Sequence, residues 1–299
     1  MTASYSIIDA PSILGLFPQG VEDLSKAVLS NGIADRLSAP IAAHLTPLQY
    51  STARDLDTGF LNGVAARTYT LSLAEIVEKE LANQRIPVIL GGDCSILHGA
   101  LVALKRRGRS GLLYLDGHAD FFNAKESPTG EIADMGLAIA VGRNHALMAD
   151  IDHLAPYVRP EDAVLFGYRD ERISLDAGMQ PVRGTGVHCF DLDRIRELGF
   201  ATALATALEP LKNPQIERVF VHFDADVLDD DIMPAVDYRL ASGLSFSEVT
   251  QAIQAVRQIG KLAGLTLTIF NPRLDPDGSI GRNLTACVVA ALDGPVSAQ

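Results

Sequence analysis

Short, nearly continuous apolar runs punctuate the chain. They are PVILG (Pro87–Gly91), GLLYLD (Gly111–Asp116), AVLFGY (Ala163–Tyr168), RVFVHFD (Arg218–Asp224) and GLTLTIF (Gly264–Phe270). Each is too short for a helix, and runs of this kind suit parallel strands covered on both faces. Helical patterns alternate with them. In LSLAEIVEKELANQ, residues Leu73, Ile76, Val77 and Leu81 follow the three-four spacing of one apolar face. In SFSEVTQAIQAVRQIG, Val249, Ile253 and Val256 do the same, with Ser247 placed to cap the helix and Gly260 to stop it. Strand–helix alternation with no repeat and no dividing linker predicts one α/β domain, residues 1–299, with helices covering a mainly parallel sheet.

Composition narrows the class. Of 299 residues, 47% are hydrophobic and 21% charged, enough for a large core and too apolar for a disordered chain. The formal net charge of −12 argues against a nucleic-acid partner. No run is long enough to span a bilayer, and the start, MTASYSIIDAPS, lacks the basic flank and apolar core of a signal peptide. Three widely spaced cysteines, Cys94, Cys189 and Cys287, do not form a disulfide framework. The expected setting is the cytoplasm.

The chemistry sits where the apolar runs end. In open α/β sheets, ligands bind beyond the carboxyl ends of the strands. One run leads into GGDCS with Cys94, a second into DGHAD with Asp116, His118 and Asp120, and a third into FDAD with Asp224 and Asp226. In extended backbone alternate residues share a face, so each D-x-H-x-D or D-x-D set is expected to converge while Gly117, Ala119 and Ala225 point away. Four carboxylates and an imidazole gathered in one pocket need compensating cations. Two divalent ions would supply them, and such a pair, roughly 3.5–4 Å apart, activates water for attack.

These blocks resemble the arginase–agmatinase (ureohydrolase) family. Its G-G-D-H-S is similar to GGDCS here, its D-A-H-x-D to DGHAD, and its S-x-D-x-D with a following D-P-x-x-x-P to HFDADVLDDDIMP. Its G-G-L-[ST] is similar to SGLSF (Ser242–Phe246), and its late N-P to Asn271–Pro272. The resemblance implies a three-layer α/β/α domain holding two divalent ions. Asp116 and Asp224 would bridge them, Asp120 and Cys94 would complete one site, and His118 and Asp226 the other. It implies Mn2+, while a thiolate at Cys94 in place of the family's histidine shifts preference toward Zn2+. Water activated by the ions would attack a planar carbon, usually of a guanidinium, with Asp120 orienting it. The cysteine, the DGHAD block followed by Phe121, and DADVL are also similar to a branch that hydrolyses N-hydroxyarginine.

The departures concern the substrate. The family's E-V-N-P reads IFNP here, so Ile269 stands at the position of the guanidinium-binding glutamate, and Thr268 is expected to face the other side of the strand. The family's proton-shuttling histidine falls on Ala133, with Glu131 and Asp134 beside it and His145 further on as substitutes. GYRDE resembles the segment whose acids hold a substrate amino group; Asp170 matches it, while Arg172 replaces a second acid. In PAVDYRLASG, Asp237 and Arg239 are candidates for substrate binding, with Arg239 suited to a carboxylate. His222 is expected to be a satisfied core or supporting histidine.

The expected function is a cytoplasmic binuclear metallohydrolase cleaving a non-peptide C–N bond in a small guanidino, amidino or N-hydroxyguanidino compound. Its catalytic candidates are Asp120, Glu131 and His145. The partners expected are a small-molecule substrate and further copies of the chain, as a trimer or hexamer by resemblance. Two alternatives stay open: a zinc-dependent amide deacylase of related fold, and a non-catalytic metal-binding paralogue.

Overall fold

The five apolar runs all form strands, and three weaker segments join them. The computed structural model describes residues 4–293, and the expected domain of 1–299 extends past both limits. The strands are β1 (Tyr5–Ala10), β2 (Ile41–His44), β3 (Ile86–Gly91), β4 (Ser110–Leu115), β5 (Ala163–Phe166), β6 (His188–Phe190), β7 (Arg218–Asp224) and β8 (Leu262–Thr268). They build one sheet in the order β2-β1-β3-β8-β7-β4-β5-β6, with every pairing parallel.

Strand alternation explains why the runs are apolar at every position. Ile7, Val88, Leu90, Leu113 and Val221 face one core, while Ile8, Ile89, Leu112, Tyr114 and Phe220 face another on the opposite side. The longest helices are α1 (Gly63–Ala82), α2 (Leu97–Arg106), α3 (Phe200–Leu208), α4 (Phe246–Gln258) and α5 (Ser279–Asp293). Leu73 and Val77 of α1 and Leu101 and Leu104 of α2 close the second core. Val249 and Ile253 of α4 and Leu284 and Val288 of α5 close the first. The result is the expected three-layer α/β/α arrangement.

One helix cap differs from the sequence expectation. Ser245, not Ser247, caps α4: its Oγ accepts the Glu248 N–H at 3.2 Å, and the Glu248 carboxylate accepts the Ser245 N–H at 2.8 Å. This reciprocal capping box satisfies two orphan donors, which Ser247 inside the first turn would leave open. Gly260 ends the helix as expected, with φ +71°.

Four adjacent central strands matter for function. β3, β8, β7 and β4 end side by side, and the acids, thiol and imidazole of GGDCS, DGHAD and FDAD lie at or just beyond the carboxyl ends of β3, β4 and β7. The turn after β3 is pressed against the loop after β1. The Asp93 N–H donates to the Ser12 carbonyl at 3.2 Å, and the Ser12 hydroxyl to Asp93 Oδ2 at 2.8 Å. A Cβ on Gly92 would lie 1.8 Å from the Ser12 carbonyl oxygen. Gly92→Ala should therefore cost about 3 kcal/mol. Gly32→Ala, at φ +78° with nothing within 4 Å, should cost only about 1 kcal/mol of left-handed strain. Urea unfolding of the two variants measures the difference, and equal losses would contradict the packing role given to Gly92.

Candidate metal centre

The strand ends converge through turns, not through strand alternation. β4 stops at Leu115 and β7 at Asp224, so Asp116–Asp120 and Asp226 lie outside the ladder. The same local device recurs three times. An aspartate carboxylate accepts the backbone N–H two residues on: Asp93 from Ser95 at 2.9 Å, Asp116 from His118 at 2.6 Å and Asp224 from Asp226 at 2.9 Å. Such Asx turns bend the chain sharply and leave each carboxylate a second oxygen. Asp120, at φ +48°, turns its carboxylate back toward the sheet.

The turns lock to one another. The Gly117 N–H donates to Asp226 Oδ1 at 2.9 Å, and a Cβ at residue 117 would lie 2.7 Å from the Asp226 carbonyl. Arg169 clamps the far side, donating to the carbonyls of Asp226 at 2.8 Å and Leu240 at 3.1 Å. Sequence reasoning passed over Arg169, whose only signal was its place next to Asp170.

Two groups of donors are compact enough to hold an ion each. In one, atoms of Cys94, Asp116, His222 and Asp224 all lie within 4.8 Å of one another; in the other, atoms of Asp116, His118 and Asp226 do so. Asp116 belongs to both, as a bridging carboxylate would. The Cys94 thiol donates to Asp224 Oδ2 at 2.7 Å, and His118 Nδ1 lies 2.9 Å from Asp226 Oδ2. Asp116 Oδ2 and His222 Nε2 are buried without a hydrogen-bond partner. An unpaired buried polar atom costs about 1–3 kcal/mol, so this donor set suits cations.

Asp120 belongs to neither group. It shares the pocket, and its Oδ2 accepts a 2.5 Å hydrogen bond from the Tyr114 hydroxyl. Thr268 departs from expectation. It faces the cluster, with its Oγ1 donating to Asp224 Oδ2 at 3.3 Å. The cause lies one residue on, where Ile269 takes φ +70°, rare for a β-branched residue. That break in the extended chain lets Thr268 and Ile269 both reach the site, and Ile269 lines the pocket.

Above the cluster opens a cavity of about 220 Å³. Its walls include Phe122, Glu131, Asp134, Asp170, Tyr238 and Ile269, and among the described residues no lysine or arginine lines it. Glu131 is buried and accepts hydrogen bonds from the Phe17 N–H at 2.8 Å and the Tyr238 hydroxyl at 3.1 Å. Asp170 is buried, accepting from the Ala119 N–H at 3.0 Å and from the Ser174 hydroxyl. Burial raises both carboxyls above their ordinary range. Burial and the nearby Glu131 push Asp134 up to about 7.

Three sequence candidates stand apart from this cavity. Arg239 is turned outward and paired with Asp230 at 2.6 and 2.7 Å. Asp237 accepts from Asn271 Nδ2 at 2.7 Å. His145 is an exposed helix cap whose Nδ1 accepts the Leu147 N–H at 3.2 Å. None of them lines the pocket. Tyr238, between Asp237 and Arg239, does line it, so these two miss the pocket by the direction of their side chains, which residue spacing does not encode.

The charge balance gives the metal-free protein a pH dependence of definite sign. Burial, then neighbouring carboxylates, pushes Asp116 and Asp224 well above the carboxylate range, and burial does the same to Asp120. Burial acts to lower His118, but Asp226 raises it to about 10. Burial acts to raise Asp226, but His118 holds it below its ordinary value. Groups that bind protons more tightly when folded give stability at low pH and lose it as pH rises. Asp226 acts in the opposite sense only below about pH 4, and burial, which holds His222 down to about 3 and also lowers His98, makes these two oppose the fall up to about pH 6.5. The unfolding midpoint of chelator-treated protein should therefore fall between about pH 7 and 10, as His118 loses its proton. Added Zn2+ or Mn2+ should raise the midpoint and remove the fall. A midpoint rising with pH in the absence of metal would contradict this balance.

The model of the Arginase family matches residues 10–293. The arginase of Bacillus caldovelox is 30% identical over 297 residues, covering 97% of this chain and 96% of that protein. The arginase of Bacillus subtilis strain 168 is 27% identical over 299 residues, covering 98% of each. Among solved structures, native Bacillus caldovelox arginase superposes with a TM-score of 0.88 at 25% identity, covering 98% of this chain and 99% of that one. Formimidoylglutamase of Bacillus subtilis shares the fold, with a TM-score of 0.71 at 17% identity, covering 98% of this chain and 87% of that one.

Proposed function

The chain belongs to the arginase family, and on that premise we propose that it is a binuclear metal-dependent hydrolase of a C–N bond in a small guanidino or amidino compound. The observation that carries this reading is the pair of donor groups sharing Asp116 at the floor of an open pocket. Cys94, Asp116 and Asp224 would hold one ion, and Asp116, His118 and Asp226 the other. Mn2+ is the metal the family suggests, and the Cys94 thiolate favours Zn2+ at the first position. When bound, such a pair lowers the pKa of water toward neutrality and so supplies the nucleophile.

The chain's own groups do the rest. Asp120, held through Oδ2 by Tyr114, has its other oxygen available to orient the attacking water or reach the first ion. Asp134, at about 7 on the pocket wall, is matched to deliver a proton to the leaving amine at neutral pH. Thr129 fixes its orientation, donating to Asp134 Oδ2 at 3.1 Å. Glu131 and Asp170 set the polarity of the wall. With Asp134 they give the wall three acids and, among the described residues, no lysine or arginine, which favours a neutral or cationic substrate and disfavours a carboxylate.

One observation favours a second reading. Ile269 is the apolar side chain on the wall where the resemblance expects a glutamate, and an apolar contact does not compensate a guanidinium. An amide or neutral amidine would fit that contact, so the substrate screen includes both. We also propose a cytoplasmic setting, homo-oligomeric assembly and one catalytic domain. Among the described residues no helix is long and apolar enough to cross a membrane.

Turnover tests the proposal. Metal-loaded protein should release urea, ammonia or an amine from a panel of guanidines, amidines and amides, and Asp120→Ala should abolish it. Substrates carrying an amine should exceed their carboxylate-bearing counterparts, arginine included, by about tenfold or more in kcat/KM. A preference for carboxylates would contradict the account of the wall. Asp134→Asn should lower kcat about 100-fold with little change in KM and flatten the limb of the pH profile near 7. An unchanged profile would remove Asp134 from proton transfer.

A further inference from the structure

His222 is the residue whose surroundings are least explained by its expected role as a satisfied core histidine. It sits on β7 two residues before Asp224, so both project from the same face of the strand. It is fully buried. Its register neighbours are Tyr114 on β4 and Thr266 on β8. Nδ1 lies 2.8 Å from Thr266 Oγ1, and the Tyr114 ring backs the imidazole with centroids 4.4 Å apart. Two contacts thus fix the ring's plane and direction, yet Nε2 has no hydrogen-bond partner. It is aimed at Asp116 Oδ2, 3.9 Å away, which also has none.

Two unpaired buried atoms facing each other at this separation are explained by an ion between them. Donors about 2.0–2.1 Å from one ion stand about 3.4 Å apart at a tetrahedral angle, close to the 3.9 Å found here. The remaining corners are at hand, since Cys94 Sγ and an Asp224 oxygen fall in the same 4.8 Å group. A second hydrogen bond that holds the free nitrogen on target is the usual support of a metal-ligating histidine, and Thr266 provides it.

We propose that His222 is a metal ligand, completing a Cys94–Asp116–His222–Asp224 site for the first ion. This deepens the binuclear reading and rests on it. The chain replaces one imidazole donor by a thiolate at Cys94, after β3, and supplies another imidazole from β7, two strands away. A site of one sulfur, one nitrogen and two carboxylate oxygens is borderline-soft and four-coordinate, which selects Zn2+ over Mn2+. The second group, Asp116, His118 and Asp226, has no sulfur and discriminates less. The centre is therefore expected to load asymmetrically when both metals are offered.

Zinc K-edge X-ray absorption on the full-length protein tests this directly. His118→Ala removes the second group's imidazole, so with one equivalent of Zn2+ the spectrum reports the first site. The expected result is one sulfur at about 2.3 Å and one imidazole nitrogen at about 2.0 Å on the same zinc. Sulfur without imidazole would overturn the proposal while leaving a two-ion centre standing. Failure of the wild-type protein to bind any divalent ion would remove both readings. As a check that needs no activity, His222→Ala should weaken zinc binding at the sulfur site by about 100-fold or more. A thiolate-to-cobalt charge-transfer band of Co2+-loaded protein follows that loss, with circular dichroism verifying the fold. Undiminished affinity in a folded His222→Ala protein would likewise overturn the proposal.

Discussion

The structure turns on one electrostatic constraint: Asp116, Asp120, Asp224 and Asp226 are buried at the ends of two adjacent strands. Like charges so close, away from water, cannot all ionise without cations. Neighbouring features serve that gathering. The Asx turns at Asp93, Asp116 and Asp224 bend the three strand ends. Gly117 leaves room for the turn at Asp226, and Arg169 ties down the backbone behind it. Without metal, protons must fill the place of cations, as Cys94 and His118 illustrate by their hydrogen bonds to Asp224 and Asp226.

The fold was legible where burial on both faces leaves no polar position, as in VILG (Val88–Gly91) or AVLF (Ala163–Phe166). It was not legible in β1, β2 and β6. β1 carries Ser6 and Asp9 within six residues, β2 is a partly exposed edge strand and β6 has three residues at the other edge. Pairing with neighbours, not local pattern, makes these segments strands. The acids of the site were legible because D-x-H-x-D and D-x-D concentrate chemistry at strand ends. The reason given for their convergence needed revision, because Asx turns and one positive φ do what alternation was expected to do.

Other positions depend on information that one sequence does not carry. Arg239 and His145 miss the pocket because the first is turned out to Asp230 and the second caps a helix. Thr268 enters it because Ile269 breaks the extended chain at φ +70°. His222 looked like a core residue because it lies inside an apolar strand, and only its unpaired nitrogen distinguishes it from one. The pocket wall changes the picture of substrate in the same way. Glu131 and Asp134 come from one segment and Asp170 from another, and the acidic wall they make together emerges only once the chain folds.

The central claim is that the buried acids form a two-ion centre, and metal stoichiometry tests it most directly. Elemental analysis of protein purified without added metal, then stripped and reloaded with Zn2+ or Mn2+, should give about two ions per chain. Asp116→Ala, which removes the donor common to both groups, should reduce that figure to one or none. A wild-type protein that stays metal-free at saturating Zn2+ and Mn2+ would contradict the account.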